Sequence, residues 1–223
     1  LLALVSALAL PIMGTASAKS PIPAAQIATS PGIVSAADPR AVQAGVEILR
    51  QGGSATDAAI ATMLALNVVE PQSSGIGGGT FLVASDSKTG AIFTIDGRET
   101  APKASGPDWF LGPDGAPLPG RARMSGARSS GVPGSLATMA KAHAQSGKLP
   151  WASLFQPAIR LATNGFTVTP RMHNGLNLYG RHLTGWAKQT YFPDGNPIAI
   201  GTTLRVPELA QTFTRIARNG PKA

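Results

Sequence analysis

With 223 residues, 43% of them hydrophobic and 13% charged, the chain has the composition of a globular domain with room for one sizeable core. The lack of cysteine excludes disulfides, thiolate metal sites and a Cys nucleophile, and leaves export open. The formal charge of +8 is uneven, with nine Lys/Arg against two acids between Lys103 and His182. Those basic residues are scattered singly, without an aromatic platform or recognition helix. They describe a solvated basic surface, and no nucleic-acid partner is expected.

Leu1 to Met13 is apolar apart from Ser6, and Ala16-Ser17-Ala18 follows as an A-x-A cleavage site before Lys19. Residues 1–18 therefore read as a secretory signal peptide, too short in its apolar part to span a bilayer. The chain starts at Leu without a charged n-region, so the signal reads as N-terminally truncated. The expected location is exported, periplasmic or secreted, with no integral membrane anchor after cleavage.

Lys19 to Pro31 is a Pro/Ala/Ser-rich lead-in, and Ile33 to Ala37 reads as a short strand. Asp38-Pro39 opens a helix with an N-cap and a first-turn proline; Val42, Val46 and Leu49 keep helical spacing, and Gly52 stops it. A second helix runs from about Ala55 to Val69, apolar nearly all round, which marks a buried helix. Asp57 lies in its first turn, where the helix dipole favours a negative charge. Pro71 ends it before the run Gly75-Ile76-Gly77-Gly78-Gly79. Two apolar runs, Thr80 to Ser85 and Ala91 to Ile95, flank the turn residues Asp86 to Gly90 and predict a β-hairpin. Because both faces of each run are apolar, the sheet is expected to be covered on both sides. Helices covering a largely antiparallel sheet make a layered α/β domain.

Ser105 to Pro119 reads as an irregular excursion and Gly120 to Gly134 as basic loop or short strand. Helical patterns return at Ser135 to Gln145, at Trp151 to Thr163 with a break at Pro157, after Thr169-Pro170, and at Val206 to Arg218.

The glycine run fails both the G-x-G-x-x-G and the P-loop patterns and precedes a strand, so it reads as a close backbone crossing where glycine also permits unusual dihedrals. No G-x-S-x-G elbow is present. His143, His173 and His182 lack metal-ligand spacing and read as surface or helix-packing residues; no metal site and no cofactor is proposed. The exposed polar run Asp96-Gly97-Arg98-Glu99 at the end of the hairpin is the candidate binding element. A guanidinium can hold a carboxylate through two parallel charge-assisted hydrogen bonds. The structural alternative is a salt bridge of Arg98 with Asp96 or Glu99. Residues two apart on a strand share a face, so Asp96 is expected to pair with Arg98 and Glu99 to point elsewhere.

Taken in order, Gly52-Gly53-Ser54-Ala55-Thr56-Asp57-Ala58-Ala59, Glu70-Pro71-Gln72, Gly75 to Gly79 and Asp96-Gly97-Arg98-Glu99-Thr100-Ala101-Pro102 closely resemble the γ-glutamyltransferases, also called glutathione hydrolases. Gly131-Val132-Pro133-Gly134, Pro157 to Ala162 and Asn164-Gly165-Phe166 continue the resemblance, which covers about Gly32 to Pro221. It implies a layered Ntn-hydrolase-like αββα sandwich, incomplete here, with residues 19–223 forming the N-terminal portion of the large subunit. It also implies that Arg98 holds the α-carboxylate of a γ-glutamyl substrate such as glutathione. In this family the precursor cuts itself, and the new N-terminal Thr of the small subunit is the nucleophile. That residue would lie outside this chain, since Thr80, Thr94 and Thr100 are not in its context, and the chain alone should be inactive. The alternatives are a related cephalosporin or glutaryl acylase of the same family, and a non-catalytic exported binding remnant.

Overall fold

The computed structural model describes residues 32–124 and 126–221. The expected signal segment 1–18 and the lead-in 19–31 lie outside them.

Helix α1 (Pro39–Arg50) starts where its sequence dictates: the Asp38 carboxylate accepts the Arg40 N–H at 2.8 Å and Pro39 occupies the first turn. Its buried stripe is Ala41, Ala44, Gly45 and Ile48, one position away from the expected Val42, Val46 and Leu49, which are half-buried. The reason is the closeness of α2 (Ala55–Val69). A Cβ on Gly45 would run into the Thr62 hydroxyl and lie 3.2 Å from the Ala58 carbonyl. Small residues set this helix crossing, and the valines are left at its margins.

A capping box opens α2. Ser54 Oγ accepts the Asp57 N–H at 3.0 Å, and Asp57 Oδ2 accepts the Ser54 N–H at 2.9 Å. The helix is buried nearly all round, as an apolar helix must be, with Ile60, Leu64, Val68 and Val69 in the main core.

Residues 33–37 are irregular, correcting the expected strand. A strand needs a hydrogen-bonded neighbour, and among the described residues none pairs with this stretch.

Strands β1 (Thr80–Ser85) and β2 (Ile92–Gly97) form the antiparallel hairpin, in register from Thr80 opposite Gly97 to Ser85 opposite Ile92. Leu82, Phe93 and Ile95 share one face, and α4 (Ser135–Ser146) packs on the hairpin. The other face is open. Phe81, Val83 and Ile92 are 64%, 74% and 70% exposed, so the expectation of a sheet covered on both sides fails among the described residues.

Gly120 to Gly134, read as loop or strand, contains the short helix α3 (Gly120–Met124) and a 3-10 turn at Ala127–Ser129. The pattern at Trp151 splits into α5 (Trp151–Leu154) and α6 (Gln156–Asn164), with Pro157 in the first turn of α6, where its missing N–H costs nothing. β3 (Phe166–Thr167) pairs with β4 (Thr203–Leu204). Between them lie α7 (Pro170–Tyr179), capped by Thr169, and α8 (Gly185–Tyr191). Helix α9 (Pro207–Asn219) packs on α5 and α6. Edge-to-face contacts of Trp151 with Phe155 (5.0 Å) and Phe155 with Phe213 (6.0 Å) knit this layer together. Helices with short antiparallel strands place the chain in the α/β class.

Candidate functional site

The site is built where the chain leaves α2. Glu70 caps that helix and is 1% exposed; its Oε2 accepts from Gln72 Nε2 (2.8 Å), Ser73 Oγ (3.1 Å) and Arg171 Nε (2.8 Å). These bonds fix the entry to the glycine run. The carbonyl of Gly78 then accepts from the Gly134 N–H (3.1 Å), the Ser135 N–H (3.0 Å) and Ser135 Oγ (2.8 Å), tying the run to the start of α4.

None of Gly75, Gly77, Gly78 and Gly79 has φ in the left-handed region, so unusual dihedrals are not the reason for this composition. Close approach is the reason at Gly79. A Cβ there would lie 2.5 Å from Glu99 Oε2 and 2.9 Å from the Glu99 nitrogen. The run thus makes room for the Glu99 carboxylate.

Arg98 follows directly on β2. Its N–H donates to Asp96 Oδ1 at 2.9 Å, while its guanidinium goes to Glu99: Nε lies 3.3 Å from Glu99 Oε2. This reverses the expected pairing. The two-residue alternation holds only inside a strand, and β2 ends at Gly97. Asp96 shapes the turn and Glu99 holds the side chain. Among the described residues the two terminal nitrogens of Arg98 have no protein partner, which leaves its fork for a ligand.

Arg98 lines a cavity of about 400 Å³ with Gly77, Glu99, Ser129, Ser130 and Gly131. The 129–131 segment is brought there by the bridge between Thr100 and Val132, closed by the Val132 N–H to the Thr100 carbonyl at 2.8 Å. Sequence reasoning missed Ser129 and Ser130 and gave Gly131 no place in the site, because a pairing some thirty positions away leaves no local mark.

The cavity can bind and orient an anion. Thr80 Oγ1 is engaged with Ser135 Oγ at 3.0 Å, and the Thr100 carbonyl accepts the Val132 N–H in the bridge. His143 and His173 bond the carbonyls of Leu149 (2.8 Å) and Ile198 (2.9 Å), and His143 also lies 3.8 Å from Asp57 Oδ1 and edge-on to Trp151, so both serve packing.

The groups with shifted protonation lie elsewhere. Burial alone would raise Asp38 and Asp57. For Asp38 the Arg40 side chain and N–H outweigh it, and for Asp57 the N–H groups of Ser54, Lys148 and Leu149 do, so both stay below the usual 3.8. Burial raises the Tyr191 phenol to about 12.

Comparison with known proteins bears on this arrangement. The family model described as Gamma-glutamyltranspeptidase matches residues 41–223. Over 193 residues the chain is 38% identical to the glutathione hydrolase proenzyme of Bacillus subtilis (strain 168), covering 86% of this chain and 33% of that relative. The Helicobacter pylori gamma-glutamyltranspeptidase structure matches with a TM-score of 0.81 at 31% identity, covering 86% of this chain and 55% of that one. The cephalosporin acylase of Bacillus halodurans matches with a TM-score of 0.66 at 32% identity, over 82% of this chain and 34% of the acylase. The chain spans about a third of the length of the curated relative it matches. By the family match and the shared fold, the chain belongs to the gamma-glutamyltranspeptidase family.

Proposed function

We propose that this chain is the N-terminal part, residues 19–223, of the large subunit of a longer γ-glutamyltransferase or glutathione hydrolase. The full protein cleaves γ-glutamyl amides such as glutathione and passes the γ-glutamyl group to water or to an amine acceptor. The observation that carries this reading is Arg98, set at the end of β2 with Nε on Glu99 and its terminal nitrogens without a partner among the described residues, at the mouth of a polar cavity. A two-point fork of this kind fixes both the position and the direction of the substrate's α-carboxylate.

The nucleophile lies outside this chain, at the N-terminus that self-cleavage gives to a small subunit. Its threonine hydroxyl adds to the γ-carbonyl and gives its proton to a base; the amine leaves protonated, and water or an acceptor amine then opens the ester. The small subunit is the partner that covers the open hairpin face. Exposed Phe81, Val83 and Ile92 support this, since a two-stranded sheet is marginal on its own. Export is supported by the apolar segment and A-x-A motif of residues 1–18. Among the described residues no helix is long and apolar enough to cross a membrane.

Incubating the full-length protein with glutathione tests the reading. Release of glutamate and cysteinylglycine is expected. Cleavage of glutaryl amides without any action on glutathione would replace it with the acylase reading, which the Bacillus halodurans likeness supports.

A further inference from the structure

A second cavity, of about 360 Å³, adjoins the first and shares Glu99, Ser129, Ser130 and Gly131 with it. Its other walls include Pro102, Pro107, Trp109, Phe110, Arg123 and Arg128. Trp109 and Arg128 clasp each other. The Trp109 indole N–H donates to the Arg128 carbonyl at 2.8 Å, and Arg128 Nη1 donates to the Trp109 carbonyl at 3.0 Å. The guanidinium carbon also sits 5.8 Å from the centre of the indole. The clasp consumes one of five guanidinium donors and holds the rest in a fixed plane. Among the described residues the Arg123 guanidinium has no hydrogen bond or ion pair (its backbone N–H goes to the Pro119 carbonyl at 3.2 Å), and the one carboxylate in the wall, Glu99, is committed to Arg98. Two arginines with donors to spare thus stand over aromatic and proline walls, one shared edge away from Arg98.

Resting on the γ-glutamyl reading above, we propose that this second cavity is the leaving-group subsite, and that Arg123 and Arg128 select γ-glutamyl peptides whose leaving portion ends in a free carboxylate. Arg98 takes the carboxylate at one end of the substrate. The shared Glu99 and Ser129–Gly131 wall lets a short peptide run from one cavity into the other, with its apolar body against Trp109 and Phe110 and its terminal carboxylate on the two arginines.

The test compares hydrolysis of γ-Glu-Ala-Gly with that of its C-terminal carboxamide by the full-length protein. A charge-assisted contact of this type gives the free acid an advantage of about tenfold in kcat/KM. Arg123→Gln and Arg128→Gln each reduce the acid-to-amide ratio, and the double variant brings it to about one. Arg123→Gln breaks no internal bond, so its result is independent of the clasp. Arg128→Lys, which keeps charge but loses the planar fork, restores the ratio only in part. Equal rates on acid and amide in the parent protein, or a ratio preserved in the double variant, would overturn the subsite while leaving the γ-glutamyl reading intact. Hydrolysis of neither peptide would overturn both.

Discussion

Glu99 Oε2 lies 3.3 Å from Arg98 Nε, and the same carboxylate oxygen occupies the space that a side chain at position 79 would need. The acid is thus a bracket between the glycine run and the arginine fork. Glu99→Gln weakens the bracket without altering its shape. With Arg98 72% exposed, the pair contributes no more than about 1 kcal/mol. The expected outcome in the full-length protein is a KM for γ-glutamyl substrates raised about fivefold, with kcat little changed, read by steady-state kinetics.

Gly97 and Thr138 make the tightest junction between the hairpin and α4. A Cβ on Gly97 would collide with Thr138 Oγ1 and lie 2.9 Å from the Thr80 carbonyl. Gly97→Ala is expected to cost about 2–3 kcal/mol, seen as a lowered Tm. Among the described residues Thr138 Oγ1 is buried without a hydrogen-bond partner, so Thr138→Ala alone leaves Tm nearly unchanged. Combined with Gly97→Ala it recovers part of the loss.

Asp57 joins three pieces of chain. Besides closing the capping box, its Oδ2 accepts the N–H groups of Lys148 (2.8 Å) and Leu149 (3.1 Å), pinning the α4–α5 connection to the start of α2. Asp57→Ala leaves those donors unpaired and removes the reciprocal half of the capping box, the Ser54 N–H to Asp57 Oδ2 bond, while Ser54 Oγ still caps the helix, for a loss of about 3 kcal/mol in denaturant unfolding. Asp57→Asn keeps one acceptor oxygen and loses less.

The same carboxylate sets an acid limit. The folded pKa values of Asp38 and Asp57 lie below the unfolded value of 3.8, so their contribution is fully present above it and is lost as pH falls below 3.8. Tyr191 behaves oppositely. Its contribution is complete below 10.0 and is lost as pH rises from there toward about 12. Tm measured against pH should decline at both limits, and Asp57→Asn should flatten the acid side.

Local signals were legible and non-local ones were not. Asp38-Pro39, Ser54 with Asp57, and Thr169-Pro170 mark helix starts because a cap is made by residues two or three apart. The strand expected at 33–37 did not form, because apolar β-branched residues make a strand only beside a partner. The buried stripe of α1 fell on alanines because the Gly45–Thr62 crossing, not hydrophobicity, sets how α1 lies on α2. At the site, Arg98 could be read from its setting. Its partner could not, because strand parity stops at Gly97 and the chain there turns toward Val132. The Trp109–Arg128 clasp joins an irregular segment to the 3-10 turn at Ala127–Ser129 and has no sequence signature.

The central claim is that Arg98 holds the substrate's α-carboxylate. The most direct measurement compares a γ-glutamyl amide with its decarboxylated counterpart, the matching 4-aminobutyryl amide, in the full-length protein and in Arg98→Ala. The parent protein should favour the carboxylated substrate by about 30-fold or more in kcat/KM, and Arg98→Ala should abolish that preference, with Arg98→Lys restoring only part of it. A preference that survives Arg98→Ala undiminished would contradict the account and place carboxylate recognition elsewhere in the protein.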